Sequence, residues 1–428
     1  KIGSKLERIR EIMKENGCNA HVLSSLDDIA WLLNIRGNDI AYCPLVLSYA
    51  IVYNNSVELF ADIRKFSDDI INLLAENQVK IYPYEDIYRK VSEMTSEDKL
   101  LLDSAIMNYS LYQAISKETV IVDKQNPEIL MKSVKNETQA ENLRKAHLKD
   151  AVAHTKFMYW LKKNIGRVEI TELSASARLE GLRAEQEHFL GPSFGPISAY
   201  GEHGAIVHYS ADEKSNVPLK EGKLFMTDTG GHYLEGSTDI TRTVALGEVG
   251  NIEKEHFTLV ARAMLRLANT VFLYGCSGAN LDCIAREVFW KEGLNFNHGT
   301  GHGVGYLLNI HEGPINFRWK EGERSAPALE ENMVITDEPG IYIEGSHGIR
   351  LENELLVRKT VKNEYGQFMN FEILTYVPID LDAILPEKMS TEEKEMLNHY
   401  HKQVYEKVSP YLSEEERIWL KEYTRAVK

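Results

Sequence analysis

The sequence predicts an α/β domain followed by a larger α+β domain, and three observations lead to this fold class. Short helical and strand patterns alternate along residues 1–132, which is typical of an α/β domain built on a central sheet. After Asn126-Pro127 the pattern changes to long helices, so we place the domain boundary near residue 132. Residues 133–428 then mix acid-bearing strands with helices, and a short helical extension begins at about residue 378.

Hydrophobic periodicity and turn residues define the elements of the first domain. The predicted helices, the first of which stops at Gly17, span residues 4–16, 27–34, 64–77 and 85–94. The predicted strands span residues 20–25, 50–62 with a turn at Asn54-Asn55, 79–84, 99–103 and 119–123. The apolar stretch 41–53 contains a proline, and its β-branched and aromatic residues indicate a buried strand rather than a membrane-spanning helix.

Long helices and acid-bearing strands make up the second domain. The predicted helices span residues 137–164, 171–186 with Thr171 as cap, 252–274 and 278–292, and polar helices follow Pro378. Two hairpin-like segments each carry an acid on both arms, the first with Asp228 and Asp239 and the second with Glu338 and Glu352. Two such hairpins facing one another would place four carboxylates around a common point.

The composition argues against nucleic-acid and membrane partners. Of the 428 residues, 43% are apolar, which is enough to bury sizeable cores. The net charge of -15 would repel both nucleic acid and an anionic membrane surface. The four cysteines form no CxxC pair, which favours packing roles, a reducing compartment and a cytoplasmic location.

The segment 299–314, GTGHGVGYLLNIHEGP, is the predicted centre of the functional site. His302 and His311 lie within it and His298 immediately precedes it, between the two pairs of acids. The spacing of His298 and His302 does not indicate a helical pair of ligands, because glycines alternate through the segment and prevent a stable helix. We interpret these glycines as positions where the backbone approaches a ligand closely.

Four clustered carboxylates point to two divalent cations, because like charges at close range would otherwise repel and take up protons. A single aspartate is more often a turn cap than a ligand, so the prediction depends on the whole set. Oxygen ligands with one imidazole suit Mn²⁺, the expected ion, and Zn²⁺ and Co²⁺ are the alternatives. A pair of such ions acidifies a water and polarises a carbonyl, so the predicted reaction is hydrolysis.

These segments resemble the pita-bread metallopeptidase family, which includes aminopeptidase P, prolidase, methionine aminopeptidase and the metal-free creatinases. The matching segments follow the family's order and are HGAIVHYS, MTDTGG, STDITRT, HGTGHGVGYLLNIHEGP, TDEPGIY and GIRLENELLV. The resemblance covers nearly the whole chain and is strongest to the three-domain, cytosolic-type Xaa-Pro aminopeptidases. It implies a creatinase-like first domain and a pita-bread catalytic domain.

The resemblance also implies roles for individual residues. The positions that match the family's metal ligands, with Asp239 and Glu352 bridging the two ions, are Asp228, Asp239, His302, Glu338 and Glu352. The positions that match catalytic residues are His208, His311 and Glu338, and those that match substrate-binding residues are His298, Arg350 and Tyr342. The two catalytic histidines would contact the peptide carbonyl, the developing oxyanion and the transferred proton. His298 would line a proline pocket and Arg350 would brace the ligands.

The implied activity is removal of the residue before proline from the amino terminus of oligopeptides, by a homodimer. A prolidase that cleaves only Xaa-Pro dipeptides and a pita-bread binding module without activity stay open as alternatives. The five intact ligand positions favour an enzyme over a binding module. Phe317 and Trp319 are candidates for an interface, for the pocket rim or equally for the core.

Two positions depart from the pattern of the subgroup. His203 stands where asparagine is usual, and Gly195 stands where a Pro-Thr pair is common, so we expect the loops around the pocket to differ. The subgroup carries a further domain before the region that begins near Lys1. We therefore expect that sequence upstream of Lys1 has been removed.

Overall fold

In the computed structural model, which describes residues 1–320, 322 and 326–428, the chain divides into the units Lys1–Lys132 and Ser133–Lys428. The strands of the first unit are β1 (Ala20–Leu23), β2 (Tyr49–Tyr53), β3 (Val57–Phe60), β4 (Val79–Tyr82), β5 (Lys99–Leu102) and β6 (Val120–Asp123). They form one sheet in the order β4-β3-β2-β1-β5-β6, antiparallel around β2 and parallel elsewhere. This sheet confirms the predicted α/β class.

Helices pack against both faces of this sheet. The helices are α1 (Ile2–Glu15), α2 (Leu26–Leu33), α3 (Asp68–Glu76), α4 (Asp86–Ser92), α5 (Tyr109–Ala114) and α6 (Pro127–Ser133). Successive residues of β2 point to opposite faces, because side chains alternate along a strand. Ile51 therefore joins an apolar cluster with α4 and α5, whereas Ala50 and Val52 join one with α1 and α2.

Two features of the first unit differ from the sequence prediction. The stretch 41–53 is a strand only from Tyr49 onwards, because Pro44 lies among the preceding residues and cannot donate to a ladder. The short helices α5 and α6 were not predicted, since neither is long enough to display a helical apolar period.

The second unit contains the long helices. They are α7 (Glu137–Asn164), α8 (Glu172–Ala184), α9 (Asn251–Ala268), α10 (Gly278–Trp290), α11 (Thr391–Val408) and α12 (Glu414–Tyr423). Asn136 and Gln139 form a capping box that fixes the start of α7 where the sequence placed it. The predicted helix 252–274 ends earlier, at Ala268, and its last residues include the short strand Phe272–Leu273.

The strands of this unit form small antiparallel sheets. They are β7 (Phe189–Pro192), β8 (Ile197–Tyr200), β9 (Lys223–Thr229), β10 (Gly231–Tyr233), β11 (Gly236–Ser237), β12 (Ile240–Leu246), β13 (Phe272–Leu273), β14 (Gly301–Gly303), β15 (Glu312–Phe317), β16 (Val334–Asp337), β17 (Gly340–Ile343), β18 (His347–Arg350), β19 (Asn353–Asn363) and β20 (Gly366–Ile373). The largest sheet has the order β13-β20-β19-β16-β14-β15, two three-stranded sheets have the orders β12-β9-β8 and β11-β10-β7, and β17 pairs with β18.

Each predicted hairpin is a strand pair that encloses a smaller one. β9 pairs antiparallel with β12 around β10 and β11, and β16 pairs antiparallel with β19 around β17 and β18. The second acid of each pair stands just before its strand rather than within it, as Asp239 does before β12 and Glu352 before β19. Both acids therefore lie where the outer ladder ends.

The core of the second unit includes apolar residues from β9, β12, α7 and α9. Phe317 is fully buried in this core, so the interface and pocket-rim roles considered for it are wrong, whereas Trp319 is 44% exposed. None of the helices in the described part of the chain combines the length and apolar content that a membrane crossing requires.

Candidate metal centre

The two strand pairs bring their acids together at one point. Ile240 pairs with Thr229 and Asp337 pairs with Asn353, so Asp239, Glu338 and Glu352 are the first residues beyond a ladder. The two pairs are joined directly, because the Glu352 N–H donates to the Thr241 carbonyl at 3.1 Å. The four carboxylates are thereby held by paired strands rather than by loops.

His302 approaches the acids from β14. Its Nε2 lies 3.5 Å from Asp239 Oδ2 and 3.5 Å from Glu338 Oε1, and the rings of His302 and His311 are 4.5 Å apart at their centroids. The glycines around His302 let neighbouring strands approach closely, and Gly299 and Gly301 also line a cavity, so the interpretation that they allow close approach to a ligand stays a prediction. A Cβ on Gly301 would lie 1.8 Å from the Thr336 carbonyl oxygen, and a Cβ on Gly303 would lie 2.2 Å from the Glu312 carbonyl oxygen.

The potential ligand atoms form three overlapping groups, each with its atoms within 4.8 Å of one another. The groups are Asp228, Asp239 and Glu352; His302, Glu338 and Glu352; and Asp239, His302 and His311. All five residues that the family resemblance named as ligands are thus brought together. Asp239, Glu352 and His302 each belong to two of the groups, so the groups overlap at these three residues.

Burial gives these carboxylates an electrostatic reason to bind cations. Burial and the nearby Asp228, Glu338 and Glu354 raise the pKa of Asp239 well above its ordinary value. Burial, followed by the charges of Asp239 and Glu338, raises the pKa of Glu352 in the same way. Burial also acts to raise the pKa of Glu338, but His302, His298 and Arg350 outweigh it and lower that pKa. Positive charge among the acids would relieve this repulsion.

The donor set fits divalent ions. Asp228 Oδ1 is buried and has no hydrogen-bond partner among the described residues, which leaves one oxygen of that carboxylate available for a metal. Four carboxylates and an imidazole are hard and borderline donors, and such donors suit Mn²⁺, Co²⁺ or Zn²⁺.

Arg350, Tyr342 and His298 form a chain of polar contacts that leads away from Asp228. The Arg350 guanidinium donates to Asp228 Oδ2, and its Nη1 donates to the Tyr342 hydroxyl at 2.8 Å. His298 Nε2 lies 2.8 Å from the same hydroxyl, and the His298 ring also contacts Phe296, with 4.9 Å between centroids. Tyr342 therefore fixes the positions of two residues that line the site.

A cavity of about 550 Å³ opens above the acids, and the five potential ligands, His208, His298, His311 and Arg350 are among the residues that line it. His208 and His311 are both exposed. His208 lies on a turn after residues 201–205 rather than on a strand, and it belongs to none of the three ligand groups. These two histidines are therefore in a position to meet a molecule in the cavity rather than the core.

The two departures from the family pattern both concern the cavity wall. Gly195 lines it directly. His203 Nδ1 contacts Oε1 of the buried Glu172 at 2.8 Å, and Tyr209 donates to Glu172 Oε2 at 2.9 Å. The rings of His203 and Tyr209 also stack, with 4.5 Å between centroids. His203 thus helps to hold the turn that presents His208.

The sequence reasoning missed Arg318, which also lines the cavity. This side chain lies against Gly299, where a Cβ would come within 3.1 Å of its Cγ and 3.2 Å of its Nε. Arg318 is exposed. It follows the buried Phe317 at the end of β15, and a charged residue directly after a core strand was the available signal.

Two hydroxyls that hold the acids were also missed. Thr241 donates to Glu352 Oε2 at 2.8 Å, and Thr336 donates to Glu338 Oε1 at 2.9 Å. Thr241 follows Asp239 by two residues and Thr336 precedes Glu338 by two. Because strand side chains alternate, residues two apart point to the same face, and this spacing could have identified both threonines.

Comparisons with known proteins match the whole chain. Residues 141–359 match metallopeptidase family M24, residues 1–139 match the creatinase/prolidase N-terminal domain, and residues 367–427 match the C-terminal region of peptidase M24. A probable Xaa-Pro aminopeptidase P from Ajellomyces capsulatus is 36% identical over 445 residues, which cover 99% of this chain and 72% of that protein.

Two solved structures illustrate the likeness. The X-prolyl aminopeptidase from Caenorhabditis elegans, described as a cytosolic enzyme with a di-nuclear active site, matches with a TM-score of 0.94 and 33% identity over 100% of this chain and 71% of that one. The Xaa-Pro dipeptidase from Bacillus anthracis matches with a TM-score of 0.70 and 25% identity over 89% and 99%. These matches confirm the creatinase-like first domain and the pita-bread second domain.

Proposed function

Because the chain belongs to metallopeptidase family M24, we propose that it is a metal-dependent Xaa-Pro aminopeptidase that releases the residue before proline from oligopeptides. The observation that carries this proposal is the group of four carboxylates and one imidazole at the base of an open cavity. A binding module that had lost its activity would have no need to keep four mutually repelling, largely buried carboxylates together.

The residues that would hold two divalent ions are Asp228, Asp239, His302, Glu338 and Glu352, of which Asp239 and Glu352 each belong to two of the ligand groups. Mn²⁺ is the proposed ion, because oxygen donors predominate. Two such ions supply an acidified water as nucleophile and polarise the scissile carbonyl. Thr241 and Thr336 orient the carboxylates of Glu352 and Glu338 through their hydroxyls.

The residues of the cavity act on the peptide itself. His208 and His311 contact the peptide carbonyl and donate to the oxygen on which negative charge develops. Glu338 accepts the proton that the attacking water loses and returns it to the leaving proline nitrogen. The proline ring lies against His298, which the Tyr342 hydroxyl and the Phe296 ring hold in place.

The amino terminus of the peptide is attracted by the acids at the base of the cavity, which makes the enzyme an exopeptidase. At the other end Arg318 offers a positive charge to a carboxylate. That charge favours short peptides with a free carboxyl terminus. It is also the observation that supports the second candidate, a prolidase acting on dipeptides.

Cleavage of Arg-Pro-Pro and Arg-Pro, each with and without added Mn²⁺, tests the function. We expect metal-dependent release of arginine from the tripeptide, with a higher kcat/KM than for the dipeptide. A tenfold preference for the dipeptide would identify a prolidase, and cleavage of neither peptide would point to a binding module. We further propose a cytoplasmic homodimer, and sedimentation equilibrium showing only a monomer of 48.8 kDa at micromolar concentration would contradict the dimer.

A further inference from the structure

A buried side-chain pair outside the set of ligands contacts the backbone of Asp239. Glu354 Oε1 accepts a hydrogen bond from the Asp239 N–H at 2.6 Å. Glu354 Oε2 lies 3.1 Å from Nε2 of His147, a residue of α7. Both side chains are completely buried. Three elements, α7, β19 and the segment before β12, therefore meet at this pair.

His147 is held by two contacts. Its Nδ1 lies 2.8 Å from the Leu143 carbonyl, which can only accept, so Nδ1 must carry a hydrogen. Its Nε2 lies 3.1 Å from Glu354 Oε2 as an ion-pair contact without hydrogen-bond geometry, since neither atom has a hydrogen-bond partner among the described residues. His147 therefore spans from the backbone of its own helix to Glu354, and it cannot turn without breaking one of these two contacts.

Glu354 is itself fixed at both ends. Its own N–H donates to Thr375 Oγ1 at 2.9 Å, so its backbone position on β19 is held independently of its side chain. The N–H of Asp239 lies beyond the ladder of β9 and β12, where no strand partner is available to it. Glu354 supplies that partner. A buried N–H without an acceptor would be costly, and Asp239 would shift to find one.

We propose that His147 and Glu354 are positioning residues for the metal centre, in which His147 holds Glu354 and Glu354 holds the backbone of the ligand Asp239. This inference rests on the proposed dinuclear centre and adds two residues that do not touch the ions. Partners that orient ligands in this way typically contribute about 10- to 100-fold to metal affinity.

The test is calorimetric titration of Mn²⁺ into metal-free protein, with no activity measurement. We expect wild type to bind two ions, and His147→Leu and Glu354→Met each to weaken at least one of them about 10- to 100-fold, since methionine at 354 cannot accept from the Asp239 N–H. His147→Gln should recover part of the loss, because its amide nitrogen can donate to Glu354. Combining His147→Leu with Glu354→Met should weaken binding little further than Glu354→Met alone, since His147 acts through Glu354.

His154→Leu is the matched control. His154 lies two turns further along α7, is equally buried, and neither ring nitrogen has a hydrogen-bond partner among the described residues. If α7 merely supports the fold, both leucine variants would lower the melting temperature of the metal-free protein, and neither would change its affinity for Mn²⁺. We expect only His147→Leu to lose affinity.

The outcomes separate this inference from the function. Wild-type affinity in His147→Leu, or an equal loss in His154→Leu, would overturn the positioning role and leave the metal centre intact. Failure of wild type itself to bind two ions would overturn the centre and the positioning role together.

Discussion

Arg350 binds Asp228 through one carboxylate oxygen only, and the other oxygen has no hydrogen-bond partner among the described residues. The same guanidinium donates to Tyr342, and it is almost completely buried. Arg350 thus fixes the orientation in which Asp228 presents its remaining oxygen to the proposed metals. The pair is a structural support and a determinant of ligand geometry at once.

The first prediction concerns this pair. Arg350→Met leaves Asp228 with an uncompensated buried charge, and breaking such a pair from one side typically costs about 3–5 kcal/mol of unfolding free energy. Denaturant unfolding of the metal-free protein measures this change. Arg318→Met is the control, because Arg318 is exposed and should change stability little. Equal stability of the two variants would show that Arg350 does not stabilise the fold.

The second prediction concerns metal removal. Ligands that bind only the folded state stabilise it by about 2.7 kcal/mol at a hundredfold excess over Kd, so chelation should lower the melting temperature. Thermal unfolding before and after chelation, with Mn²⁺ added back as control, measures the shift. An unchanged melting temperature in protein that elemental analysis finds free of metal would contradict the ligand set.

The third prediction separates the ligands from the residues that act on the peptide. Asp239→Ala and Glu338→Ala should abolish turnover and lower the metal content, because each removes a ligand. His208→Ala should retain the metals and reduce kcat by about 10² to 10³, the usual range for a lost donor to a developing oxyanion. Metal content by elemental analysis and steady-state rates distinguish the two classes. Full activity in His208→Ala would show that its place at the cavity is incidental.

The fourth prediction is a loss of stability in acid caused by His401. Burial, aided by the positive charges of Arg242 and Arg425, lowers the pKa of His401 to about 3. In the unfolded chain a histidine titrates near pH 6.5. Between these values the unfolded state binds more protons, so the stabilising contribution is complete above about pH 6.5 and declines as the pH falls towards 3.

Melting temperatures at pH 7 and pH 5 measure this decline. His401→Gln should lose less stability between the two pH values than wild type, although it begins from a lower level because His401 Nε2 accepts from the Ile379 N–H at 3.0 Å. His399→Gln is the control, since that ring is exposed on the same helix. An identical pH dependence in all three proteins would exclude His401 as the source.

The fifth prediction concerns Arg318 and the carboxyl terminus of the substrate. Arg318→Met should lower kcat/KM for Arg-Pro-Pro by at most about fivefold, the value of an exposed ion pair, and leave the carboxamide form of the same peptide unaffected. The wild-type ratio between the two peptides is the internal reference. If wild type cleaved the free-acid and carboxamide peptides with the same kcat/KM, Arg318 would have no role in recognising the carboxyl terminus of the substrate.

The fold classes of both units could be predicted from the sequence, because alternating helix and strand patterns in the first unit and capped helices such as α7 are local signals. The acids could be found together because each stands next to an apolar strand. The placement of Asp239 just before β12 could not be predicted from the sequence, because it depends on where the ladder between β9 and β12 ends. The role of His147 could not be predicted either, because Glu354 is distant in the chain and only tertiary packing brings the two close.

The contacts of Arg242 affect when the proposed metal centre can be completed during synthesis of the chain. Its buried guanidinium donates to the Glu352 carbonyl, to the Val377 and Pro378 carbonyls and to the Tyr400 hydroxyl. During synthesis the five acid and imidazole ligands emerge well before Tyr400 does. Until α11 has left the ribosome, Arg242 is a charge without its full set of acceptors, and the backbone at Glu352 lacks this support. The centre is therefore completed by residues translated long after its last ligand.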